Sequence, residues 1–578
     1  MIMAALAGAH GRFLQVYRGP VGVEEAWAPQ EVRHVMERVE ERVELEGLHA
    51  VGMVAYEAGA GLDPALPWRS PGPWPLVWFA FFPPPTPTVL PPVPPVVPVS
   101  WEPELDEAGY RRVVGQVREL LEAGETYQVN LTYRLRARWS GDPWALFLHM
   151  LHQQPSAHAA FVDCGTWAVC SASPELFVCR SGSTILSQPM KGTAPRGRFL
   201  DEDQTMAQRL QSSPKERAEN IMIVDMVRND LTRVCHPPSV RVTRLCAVER
   251  HPTLWQMTSS VLGKTSAGLG EIFAALFPAA SITGAPKIRT AGIIHELEPS
   301  PRRIYTGAMG VVRPGGRTRF NVAIRTALIH RQHGEAEYGV GGGIVWDSVD
   351  QAEWRETLLK ARILGPSRPP FGLIETMRAT PHGVPLWPWH LERLTRSARY
   401  WGYALDEQAL VAERDHYLQG IHRPCILRLE LWPSGFRHWQ VLPLPVTPRP
   451  YWLVWGEHPV ALEEPWRYHK TTRRQVLTAE EKRALALGAH DALLCTPQGW
   501  VVETTRANLV VRLRGRWFTP ALSCGPLPGV ARARLLARGK VRESHITRED
   551  VLQAEALFLI NAVRGLWRAG VLDYSSNK

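Results

Sequence analysis

The sequence predicts a mixed α/β (α+β) architecture, with one large unit rich in antiparallel sheet and a second of about 200 residues behind it. Three observations carry this. At 578 residues and 45% hydrophobic content the chain is too long for a single core. Strand-like and helix-like patterns alternate irregularly as far as Leu364. The run Gly365-Pro366-Ser367-Arg368-Pro369-Pro370 then combines backbone breakers with a loss of periodicity. The expected division is therefore a first domain over 1–365 (parts 1–98 and 99–365), a linker over 366–370 and a second domain over 371–578.

In chain order, residues from about 12 to 82 read as short strands around a charged helix between Glu31 and Glu44. The proline-rich tract Pro83 to Pro98 can be neither a helix nor a central strand, so it is expected to cross the surface as a stiff segment. Tyr110, Val113, Val114, Val117, Leu120 and Leu121 recur at helical spacing up to Gly124, after which Thr126 to Tyr133 reads as a strand. Ser183 to Ser187 is a further strand, with Pro189 and Gly192 marking its end and Lys191 on a sharply turned backbone.

The net charge of +10 and pI of about 9.3 favour anionic ligands. No basic run, zinc-ligand spacing or ribonucleoprotein motif accompanies that charge, so nucleic acid is not an expected partner. The longest apolar run, Pro75 to Phe82, is far short of a membrane span, and Met1 to Ala9 lacks the features of a signal peptide. Eight cysteines without any CxxC pair fit reduced thiols in the cytoplasm, with Cys164, Cys170 and Cys179 in the core.

Two helix starts each carry a pair of glutamates at a spacing of three. Ser213-Pro214-Lys215-Glu216 reads as an N-cap and capping box, with Glu219 one turn on. Asp350-Gln351-Ala352-Glu353 repeats the design, with Glu356 following. Glutamates from two helices suit a hard cation such as Mg²⁺, and they equally suit a solvated helix face. Ser281 to Lys287 is a tight turn into a helix, and Gly341, Gly342 and Gly343 end a strand where a ligand can approach the main chain. Arg325, expected on a strand, is suited to gripping a carboxylate. Lys191 can be a solvated cation or a desolvated amine nucleophile.

Ser173-Pro174-Glu175-Leu176-Phe177, Met190-Lys191-Gly192-Thr193, Ala218-Glu219-Asn220, Arg228-Asn229-Asp230, Ser281 to Lys287 and the triple glycine leading to Ala352-Glu353-Trp354-Arg355-Glu356 occur in the order found in chorismate-utilising enzymes. Over about residues 100–364, and more weakly through Tyr56-Glu57-Ala58-Gly59, the chain resembles that family. The resemblance implies a large chorismate-binding fold and, because lysine rather than alanine stands at 191, the aminodeoxychorismate synthase component I branch. It implies that Lys191 attacks C2 of chorismate while Glu175, with Asn130 beside it, protonates the departing C4 hydroxyl, and that ammonia then displaces the lysine. It implies Mg²⁺ on Glu219 and Glu356 with Glu216 and Glu353 in an outer shell. Arg325, Gly341, Gly342, Gly343, Thr283 and Lys360 would bind substrate. Gln256 stands where many relatives have histidine.

Beyond the linker, Leu373 to Arg378, His390 to Ala398, Tyr468 to Arg473, Glu503 to Asn508 and Leu527 to Arg532 resemble the branched-chain aminotransferase type of pyridoxal phosphate enzymes, a group that includes aminodeoxychorismate lyase. This implies a two-subdomain class IV fold. Lys470 would join the cofactor, Glu503 would pair with its pyridine nitrogen, and Arg393, Thr505, Gly529 and Val530 would hold its phosphate. Together the resemblances imply a bifunctional route from chorismate to p-aminobenzoate for folate, fed by a separate glutamine amidotransferase chain, with a homodimer expected by analogy. The alternative is an anthranilate synthase component I joined to a branched-chain or D-amino acid aminotransferase.

Overall fold

The computed structural model describes residues 2–8, 13–92, 94, 99–366 and 370–572. Parts of the proline tract (93 and 95–98) and of the linker (367–369) lie outside the described residues. The chain forms two compact units, one of Met1–Pro195 with Ala207–Arg368, the other of Arg196–Met206 with Pro369–Lys578. The second therefore includes a stretch from the middle of the sequence, which one break at the linker does not anticipate.

The first unit is built on two large, wholly antiparallel sheets. In one, Gln128–Arg138 pairs along most of its length with Glu335–Ile344, which sets Asn130 opposite Gly343. In the other, Thr184–Gln188 and Met190–Pro195 run end to end along the same partner, Leu254–Lys264. Lys191 thus stands on a strand. Pro189 interrupts that strand without ending it, and Gly192 absorbs the irregularity with φ +95, a left-handed value glycine adopts without a Cβ clash.

Amphipathic helices seal the unit. Val32–Glu46 buries Val35, Met36, Val39 and Val43 in a core with Phe79, Phe81 and Phe320. Glu107–Glu122 starts on Asp106, whose carboxylate accepts from Gly109 N at 2.7 Å, and is followed by Gly124 at φ +73. Its Tyr110, Val114 and Val117 pack with Tyr133, Tyr338 and Trp354. Each such aromatic contributes about 1.5–3 kcal/mol by burial. The part of the proline tract at Thr86–Val89 is an exposed strand at a sheet edge.

Three local expectations differ from the structure. Ser213 caps Pro214–Thr232 by accepting from Glu216 N, but no capping box forms, and the Glu216 carboxylate lies beside Gly192. Asp350 is the first residue of Asp350–Ala361 rather than its cap, and its side chain pairs with Arg111 at 2.6 Å. Arg325 lies between Arg317–Val322 and Thr326–His330, at a bend with φ +50.

The two largest hydrophobic cores of the second unit are separate, as a two-subdomain fold requires. Leu373–Ala379, Cys425–Leu431 and Arg437–Leu442 form a three-stranded antiparallel sheet under helix Trp387–Trp401. A mixed sheet carries the other core, with Leu453, Leu493, Leu509 and Leu559. The stretch Arg196–Met206 is held in this unit by Tyr400, whose hydroxyl donates to Gly197 O at 2.6 Å, and by Arg198, which donates to the Tyr468 hydroxyl at 2.9 Å. All eight cysteines are free; Cys170 is buried, whereas Cys164 and Cys179 are half-buried. Among the described residues no helix is long and apolar enough to cross a membrane.

Candidate active sites

In the first unit, a cavity of about 220 Å³ opens where the two sheets and the two glutamate-bearing helices meet. The Lys191 strand brings the amine, and the segment before Leu176–Ser181 brings Glu175. Asn130 reaches it from Gln128–Arg138, while Gly341 and Gly343 supply bare backbone. Glu216 and Glu219 enter from one helix, and Glu353, Glu356 and Lys360 from the other. Arg325 also lines it. Thr283 does not, being fully buried with its hydroxyl donating to Ala279 O at 3.1 Å. Gly342 is likewise absent from the lining, and a Cβ on it would meet Glu353 at 3.2 Å.

Burial changes the character of the central pair. Glu175 is 3% exposed, and loss of water pushes its carboxyl up to about 7, although the Ser281 hydroxyl donates to it at 2.6 Å and the Lys191 charge opposes the shift. Lys191 keeps part of its surface open to the cavity, but desolvation lowers its pKa against the raising influence of Glu219. An amine pushed toward neutrality and a carboxyl pushed toward protonation share one space, the combination that nucleophilic attack with acid-assisted departure needs.

The glutamates repel one another across the cavity. Burial and then neighbouring carboxylates raise Glu219 and Glu216, each against the opposing charge of Lys191 or Lys215. Burial raises Glu353 too, while the Ser348 hydroxyl donates to it at 2.7 Å. Glu356 alone is lowered, chiefly by Lys360, which pairs with it at 2.7 Å and also donates to Gly341 O at 2.7 Å. Among the described residues no three His, Cys, Asp or Glu side chains are gathered closely enough to form a ready metal cage. Four hard oxygen donors facing one cavity still suit a cation that fills its shell with water and substrate oxygens. Tyr305 and Ser281 complete the surroundings; Tyr305 had no assigned role because it lies outside the diagnostic motifs.

In the second unit, Lys470 is drawn to the edge of the three-stranded sheet, where its carbonyl accepts from Ile374 N at 2.7 Å. Burial, followed by the charges of Arg393 and Arg474, brings its amine down to about 7. Arg393 forks onto Glu375 at 2.9 and 2.6 Å, and its remaining nitrogen approaches Pro528 O at 3.4 Å, beside the start of helix Val530–Ala537. Burial alone would raise Glu375, yet Arg393 and then His390 hold it at about 2. Glu375 and His390 lay within the diagnostic motifs without an assigned role; their pairing spans 15 residues.

Gly529 is the N-cap of that helix, and its own N–H is bonded to Leu527 O at 2.7 Å, so the free first-turn amides belong to the residues after it. Thr505 donates its hydroxyl to Asp491 at 2.7 Å and is occupied there. Glu503 is 7% exposed, raised by burial, and held by Arg467 at 3.2 Å and Asn508 at 3.1 Å. A phosphorylated cofactor fits a unit that offers the first-turn amides of a helix start and a buried lysine near neutrality, with Nη1 of Arg393 directed to the same helix start and its other two nitrogens committed to Glu375.

Residues 85–365 match the family described as chorismate binding enzyme, and residues 372–570 the family described as amino-transferase class IV. Aminodeoxychorismate synthase component 1 of Klebsiella aerogenes is 39% identical over 268 residues, which is 46% of this chain and 59% of that protein. Anthranilate synthase component 1 of Streptomyces coelicolor is 40% identical over 268 residues, covering 46% of this chain and 52% of that protein. The chain spans between about half and three fifths of the length of these curated relatives. The crystal structure of anthranilate synthase component I from Streptococcus pneumoniae TIGR4 has a TM-score of 0.53 at 25% identity, covering 61% of this chain and 92% of that one.

Proposed function

We propose that this chain, which joins a chorismate binding enzyme domain to an amino-transferase class IV domain, makes p-aminobenzoate from chorismate in two steps. The observation that carries the first step is the cavity that Lys191 and Glu175 share, which sets a desolvated amine with a buried carboxyl pushed up to about 7. Lys191 forms a bond to C2 of the ring, the diene shifts, and the C4–O bond breaks as Glu175 gives its proton to the leaving hydroxyl. Ammonia then bonds to C4, the diene shifts back, and the C2–N bond breaks to release Lys191 and 4-amino-4-deoxychorismate.

Relatives of both names match about equally in identity, so overall similarity does not choose between para and ortho amination. The lysine at 191 supports the para reading. Mg²⁺, if bound, would neutralise a substrate carboxylate, held by Glu219 and Glu356 with Glu216 and Glu353 around them. Until then Lys360 acts as the internal counter-ion of Glu356. Arg325 and the bare backbone at Gly341 and Gly343 grip the other carboxylate. A separate amidotransferase chain would supply the ammonia.

The second step removes the enolpyruvyl group as pyruvate and leaves an aromatic ring. Pyridoxal phosphate supplies an electron sink for it. Lys470 would hold the cofactor, and burial that brings its amine down to about 7 suits it to take and return protons at neutral pH. Glu503, buried and raised by desolvation, would pair with the ring nitrogen, and Arg393 with the amides after Gly529 would hold the phosphate.

One incubation tests the whole reading: purified chain, chorismate, ammonia, Mg²⁺ and pyridoxal phosphate, with the aromatic product identified. p-Aminobenzoate with pyruvate is expected. Anthranilate would overturn the first step, and 4-amino-4-deoxychorismate accumulating beside transamination of amino acids would overturn the second.

A further inference from the structure

Gln128 is a strand residue two positions before Asn130, and it is fully buried. Neither its Oε1 nor its Nε2 has a hydrogen-bond partner among the described residues. A buried amide with no partner costs about 1–3 kcal/mol for each group left unmade, so native interiors seldom keep one without a use. The neighbours of Gly343 show where it points. A Cβ built on Gly343 would lie 2.2 Å from Gln128 Nε2 and 2.8 Å from Lys191 Nζ. The amide and the amine therefore flank the same point, and the residue opposite them is glycine because together they fill the volume a side chain would need.

Resting on the amine chemistry proposed above, we infer that Gln128 is a positioning residue for Lys191: with its amide turned so that Oε1 takes the place of Nε2, the oxygen accepts a hydrogen bond from the amine and turns the nitrogen lone pair into the cavity. A half-turn of the terminal torsion exchanges Oε1 and Nε2 without altering the shape of the side chain. Only the oxygen-inward rotamer serves this purpose, because an amide N–H directed at the lone pair would block the attack. A primary amine free to spin about its Cε–Nζ bond presents its lone pair in the attacking direction part of the time. One anchored N–H removes that freedom. The other charged groups acting on the amine, Glu219, Lys360, Glu175 and Glu356, change its charge but lie in the cavity with the substrate, whereas Gln128 stands behind it and does not line the cavity.

The test uses the full chain with pyridoxal phosphate and two substitutions. Gln128→Met keeps the bulk and removes the acceptor. We expect kcat for ammonia-dependent chorismate consumption to fall roughly 10- to 100-fold with KM within about twofold, and conversion of supplied 4-amino-4-deoxychorismate to stay at the parent rate, which reports folding. Gln128→Glu places a carboxylate against the amine, so the pH midpoint for carbamylation of Lys191 by cyanate, followed by mass spectrometry, should rise by about one unit or more. Parent-like kcat in Gln128→Met, a loss confined to KM, or an unmoved cyanate profile in Gln128→Glu would each overturn the role. The cyanate arm needs no chorismate, so it still decides the matter if the parent chain fails to turn chorismate over.

Discussion

Lys191 and Lys470 are both desolvated amines, yet their neighbours carry opposite charge. Around Lys191 stand Glu219, Glu175 and Glu356, with Lys360 opposing them. Around Lys470 stand Arg393, Arg474 and Arg428, with Glu375 as the exception. Burial lowers both; the carboxylates restrain the first, and the guanidiniums drive the second to about 7. The difference fits the two separate uses proposed for these amines. An amine that must attack, leave and be restored tolerates acidic company that can also grip a cation, whereas one that binds an anionic cofactor and relays protons benefits from a cationic surround.

The sharpest way to break this contrast is to remove each amine in turn. Lys191→Ala should lower chorismate consumption by about a thousandfold or more and leave the step on supplied intermediate untouched, while Lys470→Ala should do the reverse and let the intermediate accumulate. If either change silenced both steps, the two amines would not be independent. Chelating divalent cations should then slow the first step by at least roughly a hundredfold and spare the second, as measured by the same two assays.

Glu175→Gln should cost about 10²- to 10⁴-fold in the first step. Because burial raises the Glu175 carboxyl from 4.5 to about 7, its acid form persists to neutrality, so the parent rate should fall as pH rises through about 7. The Gln variant should lack that limb. The smallest effect concerns stability. Glu375 is depressed to about 2, so its contribution is complete above pH 4.5 and lost as pH falls from there toward 2. Glu375→Gln should destabilise the second unit by about 3 kcal/mol near neutrality, read by denaturant unfolding of pyridoxal phosphate absorbance and fluorescence.

Motifs in the sequence named the residues proposed to act in the first step, and the structure brings most of these to one cavity. Lys191, Glu175, Glu219 and Glu356 meet in one cavity although they come from separate stretches of chain. What was not legible was backbone geometry. Pro189 and Gly192 are breakers by local rule, yet they kink a strand that sheet partners hold on both sides of the break. Arg325 sits at a left-handed bend inside an apolar run that contains neither glycine nor proline to announce it. Gln128 and Glu375 are polar by type, and their burial at 0% and 2% exposure comes from neighbours across the fold that local sequence does not reveal. Thr283 shares its motif with Ser281 but turns into the framework.

The stretch Arg196–Met206 leaves the Lys191 strand, joins the second unit, and returns before the Glu219 helix. Scissors applied at the linker would therefore not yield two whole proteins: the C-terminal piece would be born without a strip of its own wall, and Tyr400 and Tyr468 would face solvent where Gly197 and Arg198 belong. A gene encoding that piece alone would need to carry the strip back, grafted onto one end, before its product could be expected to stand by itself.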